Sequence, residues 1–326
     1  MNASKSELGS ELPTFTPPAY AELHWPEEDR ELMRGACDMH VHLAPCLFHR
    51  LTTEEQFVHS AISVGYRAAI SKCHHCANAE RLKSVNRPGS GFTLFGGIVL
   101  NHFVGGLNPY AVESSIRAGG KCVWMPTMHA QNHVDTFGAA AYARLKYAGD
   151  RLVDSYSSVQ SPITALDGNG RIKTELQDIL RLIAAGGNIL ATGHFSHAEI
   201  VPLLKAAKEA RVEKIVVTHA EMEVSNLSIA QQVELADMGA HIEHVILPCL
   251  PIYARLDPMV FLKSIQAVGA DRTVLSTDLG QVYNPHPAEG MRQFVRTLLY
   301  KGLERDKVDL ILKRNPSRLL DVECLY

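Results

Sequence analysis

The strongest constraint on the fold is a repeated alternation of short apolar segments with segments of helical spacing. Eight segments are β-branched or otherwise apolar and too short for typical helices, which predicts strands. The predicted strands are residues 36–43, 66–75, 92–101, 121–129, 187–197, 213–221, 240–248 and 272–280. The predicted helices between them include residues 53–65, 108–120, 198–212, 228–240 and 258–270. Strands separated by helices pair in parallel through crossover connections.

Eight such units favour a closed (β/α)8 barrel, the TIM-barrel fold of the α/β class. A doubly wound open sheet is the alternative, but no Gly-x-Gly-x-x-Gly follows the first strand. Residues 1–35 are predicted to form a short N-terminal extension, and residues 36–326 the barrel domain. The interval from 130 to 186 is too long for one loop and one helix, so we predict an insertion between strands 4 and 5.

Composition excludes several classes of partner. The formal net charge is −3 and the basic residues are dispersed, which argues against nucleic acid or an acidic membrane as partner. No stretch approaches about eighteen uninterrupted apolar residues, so no membrane span is predicted. Seven scattered cysteines, without an apolar leader segment, favour a reducing, cytoplasmic location. The expected partner is a small-molecule substrate, and a homo-oligomer stays open.

Metal-competent or titratable residues fall at the ends of the predicted strands. The carboxyl ends of barrel strands meet at one face, where the sites of such folds lie. Because side chains alternate along a strand, His40 and His42 share one face. Imidazoles and a carboxylate that converge there predict a site for Zn²⁺ or a similar divalent ion. The strand-end residues are His40 and His42 on strand 1, Lys72, His74 and His75 on strand 2, His194 on strand 5, His219 on strand 6 and Asp278 on strand 8.

Two short motifs carry little weight alone. The chain has 16 histidines, so one His-x-His is expected by chance, and the ordered set of strand ends is what makes His40 and His42 informative. Cys73 and Cys76 form a Cys-x-x-Cys. No second Cys-x-x-Cys accompanies it, which argues against a zinc ribbon or a thioredoxin-like site.

The ordered set resembles the amidohydrolase superfamily of metal-dependent hydrolases. In that superfamily His-x-His ends the first barrel strand, histidines end the fifth and sixth, and an aspartate ends the eighth. The resemblance spans roughly residues 36 to 322, and the segment RNPSRLLDV at 314–322 is similar to a helix start near the end of these enzymes. It implies one or two divalent ions, zinc with manganese or iron as alternatives. The implied metal ligands are His40, His42, Lys72, His194, His219 and Asp278.

The fourth strand departs from the two-metal members of the superfamily. Those members place a lysine, often carboxylated, or a glutamate at its end, where this chain has VWMPTMH. Lys121 stands at the start of that strand, which is the wrong end. Either the site holds one ion, or the bridge comes from another strand. D-aminoacylase-like members take a bridging cysteine from the second strand, which makes Lys72 a candidate carboxylated bridge.

The resemblance implies a hydrolase that acts on C–N or C–O bonds. A metal-activated water would attack an amide, cyclic amide, lactone or ester, with Asp278 as general base and acid and His219 as a second catalytic group. A metal-dependent decarboxylase of the same superfamily and a phosphoester hydrolase are the alternatives. A non-catalytic barrel is disfavoured, because clustered imidazoles and a carboxylate are costly to bury without a task. Substrate contacts are predicted for His74, His129, His244 and Tyr283.

Overall fold

The structure is a computed structural model that describes residues 23–139, 159, 161–253 and 255–324. Each of the eight predicted strands contains an observed strand, and the third contains two. The strands are Cys37–Val41 (β1), Ala68–Ser71 (β2), Thr93–Phe95 (β3), Gly97–Val99 (β4), Cys122–Trp124 (β5), Ile189–Ala191 (β6), Lys214–Val217 (β7), His241–Val245 (β8) and Thr273–Ser276 (β9).

Helices connect the strands as the apolar spacing predicts. The five predicted helices are observed within two residues of their expected starts. In the part of the chain that the structure describes, none of the helices has the length and apolar character of a transmembrane segment. The helices are Glu27–Met33 (α1), Glu54–Ser63 (α2), Ala79–Leu82 (α3), Pro109–Arg117 (α4), Gln131–Phe137 (α5), Thr174–Gly186 (α6), His197–Glu209 (α7), Ile229–Asp237 (α8), Met259–Val268 (α9), Pro287–Tyr300 (α10), Arg305–Asp309 (α11) and Asn315–Leu320 (α12).

Among the described residues all strand pairs are parallel, and they form two hydrogen-bonded sheets. One sheet has the order β1-β2-β3 and the other β4-β5-β6-β7-β8-β9. The outer strands β1 and β9 meet through a parallel bridge between Val41 and Leu279. Two backbone hydrogen bonds support it, from His42 N to Leu279 O at 2.7 Å and from Asp278 N to His40 O at 2.8 Å. The sequence-based prediction of a parallel α/β fold is confirmed.

The predicted third strand is interrupted at Gly96, where the side chain of Asn78 enters between neighbouring strands. Asn78 Nδ2 donates to Ser71 O, and Gly97 N donates to Asn78 Oδ1, both at 2.8 Å. A Cβ atom at Gly96 would collide with the Asn78 side chain, and one at Gly97 with the Cys122 carbonyl. The two glycines therefore permit an approach that a side chain would block, and the amide of Asn78 replaces direct strand pairing there.

The strands bury one apolar cluster among themselves and others against the helices. The first contains Cys37 and Met39 of β1, Ile70 of β2, Trp124 of β5 and residues of β4, β6, β7 and β9. Side chains of the opposite parity, such as Val123, pack against the helical layer. The interior parity continues from Ile70 to Lys72 and from Val274 to Asp278, whereas the register of β1 shifts between Asp38 and Val41, where His40 lies.

The N-terminal segment packs against α10. Asp29 is buried in α1 and accepts a hydrogen bond from Arg292 Nη1 at 2.6 Å. Trp25 Nε1 donates to Glu289 Oε2 at 3.0 Å. Residues 1–22 and most of the predicted insertion between strands 4 and 5 lie outside the described residues.

Helix α8 begins with a capping box that can be tested directly. The side chain of Ser228 accepts a hydrogen bond from Gln231 N at 3.3 Å, and Gln231 Oε1 accepts one from Ser228 N at 2.9 Å. We expect Ser228→Ala to lower the free energy of unfolding by about 1 kcal/mol, because the backbone amide of Gln231 loses its partner. Urea denaturation measures the change. Ser114→Ala, at an exposed position inside α4, is the control and should change stability by less than about 0.5 kcal/mol.

Candidate metal centre

Three strand-end side chains meet in one buried group. The ligand atoms of His40, His42 and Asp278 all lie within 4.8 Å of one another. Asp278 Oδ1 lies 3.1 Å from His40 Nε2 and 2.9 Å from His42 Nε2. All three residues are buried. Two imidazoles and a carboxylate at this spacing form a donor set that suits a divalent ion such as zinc.

The ring orientation of both histidines is set through Nδ1. His40 Nδ1 lies 3.3 Å from Glu243 Oε2, and His42 Nδ1 donates to the carbonyl of Lys72 at 2.8 Å. Metal-binding histidines usually donate their second nitrogen to a carboxylate or carbonyl in this way. The arrangement leaves Nε2 of both rings directed at Asp278, so the donors fit a bound cation without rearrangement.

The carboxylates of the group favour a positive charge at His40, whereas burial and Arg50 lower the pKa of His42 to about 3. Burial lowers the pKa of His40, but Asp278 and Glu243 more than offset it, and the net shift is upward. Burial raises the pKa of Asp278, but His40 and His42 hold it well below its usual range. Carboxylates that favour a protonated imidazole at this place also favour a divalent cation there.

Lys72 reaches the same group from the end of β2. Its Nζ lies 3.1 Å from His40 Nε2 and 5.8 Å from the centroid of the Trp124 ring. Burial lowers the pKa of this amine, and Asp278 and Glu243 counteract part of the shift. Lys121 pairs instead with Asp321 at 3.2 Å. The placement of Lys72 agrees with the prediction that it lies near the centre, and its role as a ligand stays a prediction.

His194 and His219 face the group from the ends of β6 and β7. Their ring centroids are 4.9 Å apart, and that of His219 is 5.9 Å from that of His40. Each Nδ1 has a partner, His133 Nδ1 at 2.9 Å for His194 and Ser225 Oγ at 3.1 Å for His219. Burial lowers the pKa of His194 well below its usual value and that of His219 to about 3. Both rings are therefore neutral, as metal ligation requires.

His219 and Asp278 share an unusual backbone conformation. Their φ angles are +34° and +56°, in the left-handed region that residues other than glycine seldom adopt. Such conformations cost about 1–3 kcal/mol each and persist where the surroundings hold them. Asp38 helps to hold the backbone at Asp278, because its Oδ2 accepts a hydrogen bond at 2.7 Å from Oγ1 of the preceding residue, Thr277.

The residues predicted to contact substrate lie at different distances from this group. His74 is buried and stacks on His42 with ring centroids 4.8 Å apart. His129 packs edge-on to His102 at 4.9 Å. Tyr283 is 72% exposed, so its side chain projects toward solvent. The structure thus brings His74 to the centre, and the substrate contacts of His74, His129 and Tyr283 stay predictions.

His244 occupies the other face of β8. Its Nδ1 lies 3.0 Å from Glu221 Oε2, and its ring centroid is 5.5 Å from that of Phe261 in α9. The preceding residue, Glu243, faces His40 instead, because side chains alternate along a strand. His244 therefore lies beside the helical layer, and the substrate contact predicted for it stays a prediction.

Glu243 is the site residue that the sequence analysis missed. Its Oε2 lies 3.3 Å from His40 Nδ1 and accepts a hydrogen bond from His219 N at 3.0 Å. One carboxylate thus positions two strand ends. The available signal was an acidic residue inside the apolar strand HIEHV, with the parity opposite to His244.

Solved structures with low sequence identity share this fold. An amidohydrolase from Pseudomonas aeruginosa superposes with a TM-score of 0.59 at 13% identity, covering 91% of this chain and 98% of that one. A lactonase from Listeria monocytogenes gives a TM-score of 0.51 at 11% identity over 90% of this chain and 96% of that one. A beta-aspartyl dipeptidase from Fervidobacterium islandicum superposes with a TM-score of 0.53 at 15% identity, covering 89% of this chain and 73% of that one.

The fold of this chain is that of amidohydrolase-superfamily proteins, and the resemblance predicted from the strand ends is confirmed. Residues 35–243 match the model of a family described as a family of unknown function, DUF6282. The chain belongs to this family. No curated protein matches it.

Proposed function

We propose that this chain is a metal-dependent hydrolase that cleaves a C–N or C–O bond in an amide, cyclic amide, lactone or ester. The observation that carries the proposal is the buried group of His40, His42 and Asp278, whose ligand atoms lie within 4.8 Å of one another. Solved structures of the same fold include proteins named as an amidohydrolase and a lactonase. Their names agree with this reaction class.

His40, His42 and Asp278 would hold the ion, with His194, His219 and Lys72 as further ligands. A bound zinc ion supplies Lewis acidity and brings the pKa of a coordinated water toward 7. We propose zinc, with one or two ions per chain, and manganese or iron as alternatives. Because burial lowers the pKa of Lys72, its amine is more readily neutral, which carboxylation of a bridging lysine requires.

Asp278 is the proposed general base and acid. Its pKa lies well below the usual range, so the carboxylate is ionised and can accept a proton from water at neutral pH. It would then return the proton to the leaving nitrogen or oxygen. If the centre holds one ion and His219 is not a ligand, this neutral ring beside the group would contact the electrophile and stabilise the charge that develops on its oxygen.

We further propose that the strands close as a (β/α)8 barrel, with residues 1–35 as an extension and residues 36–326 as the hydrolase domain. The bridge between β1 and β9 supports closure on one side. On the other side, the chain runs from β3 to β4 through the single residue Gly96. We also propose the insertion between the fourth and fifth predicted strands, which contain β5 and β6.

A small-molecule substrate is the proposed partner, without nucleic acid or membrane, and self-association stays open. The net charge of −3 agrees with this. The proposed location is cytoplasmic. The thiols of Cys37, Cys46, Cys73, Cys76, Cys122 and Cys249 are not joined in disulfides, which agrees with a reducing compartment.

Metal removal tests the proposed reaction. We expect chelation to abolish hydrolysis of the best substrate in a panel of lactones, cyclic amides, amides and esters, and zinc to restore it. Circular dichroism should show that the chelated protein stays folded, so that the loss reports chemistry. Fully active protein without metal would overturn the proposal. So would preferential CO₂ release from aromatic acids, since a decarboxylase leaves the hydrolytic water unused.

A further inference from the structure

A second group of metal-competent side chains lies in the loops that follow β1 and β2. Cys73 Sγ is 3.4 Å from Cys76 Sγ and 3.3 Å from His75 Nδ1. The ligand atoms of these three residues all lie within 4.8 Å of one another. Cys46 lies beside this group, close enough for its thiol to shift the pKa values of Cys73 and His75. Two sulfurs and one imidazole therefore converge in the loop after β2, and a third sulfur, that of Cys46, lies beside them from the loop after β1.

We propose that Cys46, Cys73, His75 and Cys76 bind a structural zinc ion. Three thiolates and one imidazole form one of the common ligand sets of structural zinc sites. Four protein ligands fill a tetrahedral shell, so this ion would be closed to substrate. The donors differ from those of the metal centre, and the proposal does not depend on the hydrolase function.

The surroundings balance the charge of such a site. Zinc with three thiolates carries a net charge of −1, which needs compensation where it is partly buried. Arg50 Nε donates to Cys46 Sγ at 3.4 Å, and Arg81 Nη1 donates to Cys76 Sγ at 3.2 Å. Arg81 is held in place by Glu54, which accepts from Arg81 Nε at 3.0 Å. Guanidinium donors on two of the three sulfurs favour their thiolate form.

A disulfide explains less of this geometry. A bond between Cys73 and Cys76 requires sulfurs about 2.05 Å apart, and here they are 3.4 Å apart. It would also use two thiols and leave Cys46 and His75 beside them without a role. The absence of a second Cys-x-x-Cys does not count against zinc, because the other two donors are Cys46, from a different loop, and His75, from within the motif.

The site would fix the rim of the metal centre. The loop that carries Cys46 also carries Phe48, whose ring centroid is 6.1 Å from that of His74. His74 in turn stacks on His42 at 4.8 Å. A zinc ion that ties the two loops together would hold His74 against the metal centre.

Metal analysis of matched variants tests the proposal. We expect Cys76→Ser to lose about one zinc per chain relative to the wild type, by the one-ion stoichiometry of such a site. Cys249→Ser, at a half-buried free thiol in another loop, should lose none. His75→Asn and Cys46→Ser serve as further variants if Cys76→Ser fails to fold. Equal zinc content in wild type and all three cluster variants would overturn the proposal.

A spectroscopic test needs no change in the cluster. The doubly substituted His40→Ala/His42→Ala protein should keep zinc with a zinc–sulfur distance of about 2.3 Å in X-ray absorption. This readout is independent of whether the metal centre binds an ion or the chain is a hydrolase. Cobalt-substituted wild-type protein should show thiolate-to-metal charge-transfer absorption. The proposal fails if that absorption is missing, or if peptide mapping of anaerobically purified protein recovers a Cys73–Cys76 disulfide.

Discussion

Asp278→Asn is expected to lower kcat by about 10²- to 10⁴-fold at saturating metal while the protein keeps its fold and binds the ion more weakly, because an amide is a poorer ligand than a carboxylate. The amide has nearly the volume of the carboxylate but cannot accept a proton at neutral pH. Asp278 Oδ1 lies within 3.1 Å of Nε2 of both His40 and His42, so the substitution changes the group at its centre. Turnover of the best substrate and metal content by mass spectrometry measure the two effects separately.

Asp321→Asn provides the matched control. Asp321 also has a left-handed backbone, with φ +55°, but it pairs with Lys121 at the opposite end of the strands. The same chemical change at the same type of backbone position should leave kcat within about twofold, the scale of surface substitutions. If Asp278→Asn behaves like Asp321→Asn, the assignment of the general base is wrong.

Glu243→Gln is expected to weaken metal binding by about 10- to 100-fold, the range found when partners of metal ligands are replaced. Glu243 Oε2 lies 3.3 Å from His40 Nδ1 and accepts a hydrogen bond from His219 N at 3.0 Å. An amide loses the negative charge that makes His40 a better donor to a cation. Competition with a chromophoric chelator measures the dissociation constant, and kcat/KM at saturating metal should recover substantially.

Glu221→Gln separates this effect from the general cost of altering a buried carboxylate. Glu221 is also buried and lies 3.0 Å from a histidine Nδ1, that of His244. That pair lies on the other face of β8, toward Phe261. Metal affinity should therefore be unchanged in Glu221→Gln. Equal losses of metal affinity in the two variants would show that Glu243 acts only through the stability of the folded protein.

The strands and helices were predictable because the spacing of apolar residues indicates which side chains are buried. The strands and the five helices fall where their spacing places them. The break at Gly96 was not predictable. It depends on Asn78, which reaches the strand from nineteen positions away in sequence, and local patterns carry no information on such a contact.

The residues of the metal centre were predictable where they lie at the ends of strands. His40, His42 and Asp278 follow apolar strands whose order sets their convergence. Glu243 was overlooked because His244 beside it is the more familiar ligand type, and the two differ only in parity along β8. The contact of Cys46 with Cys73 joins two loops whose paths depend on the completed fold.

The partners of Nδ1 in the centre orient the rings before a cation arrives, and the carboxylate and carbonyl acceptors of His40 and His42 also fix the tautomer of those two rings. His40, His42 and His219 gain their partners from the strands and loops of the folded chain. The entropy of ordering these ligands is therefore lost during folding, and metal uptake becomes simple association with a rigid receptor. Apo and loaded protein should then differ little in backbone conformation, and loading should follow second-order kinetics without a slow conformational phase.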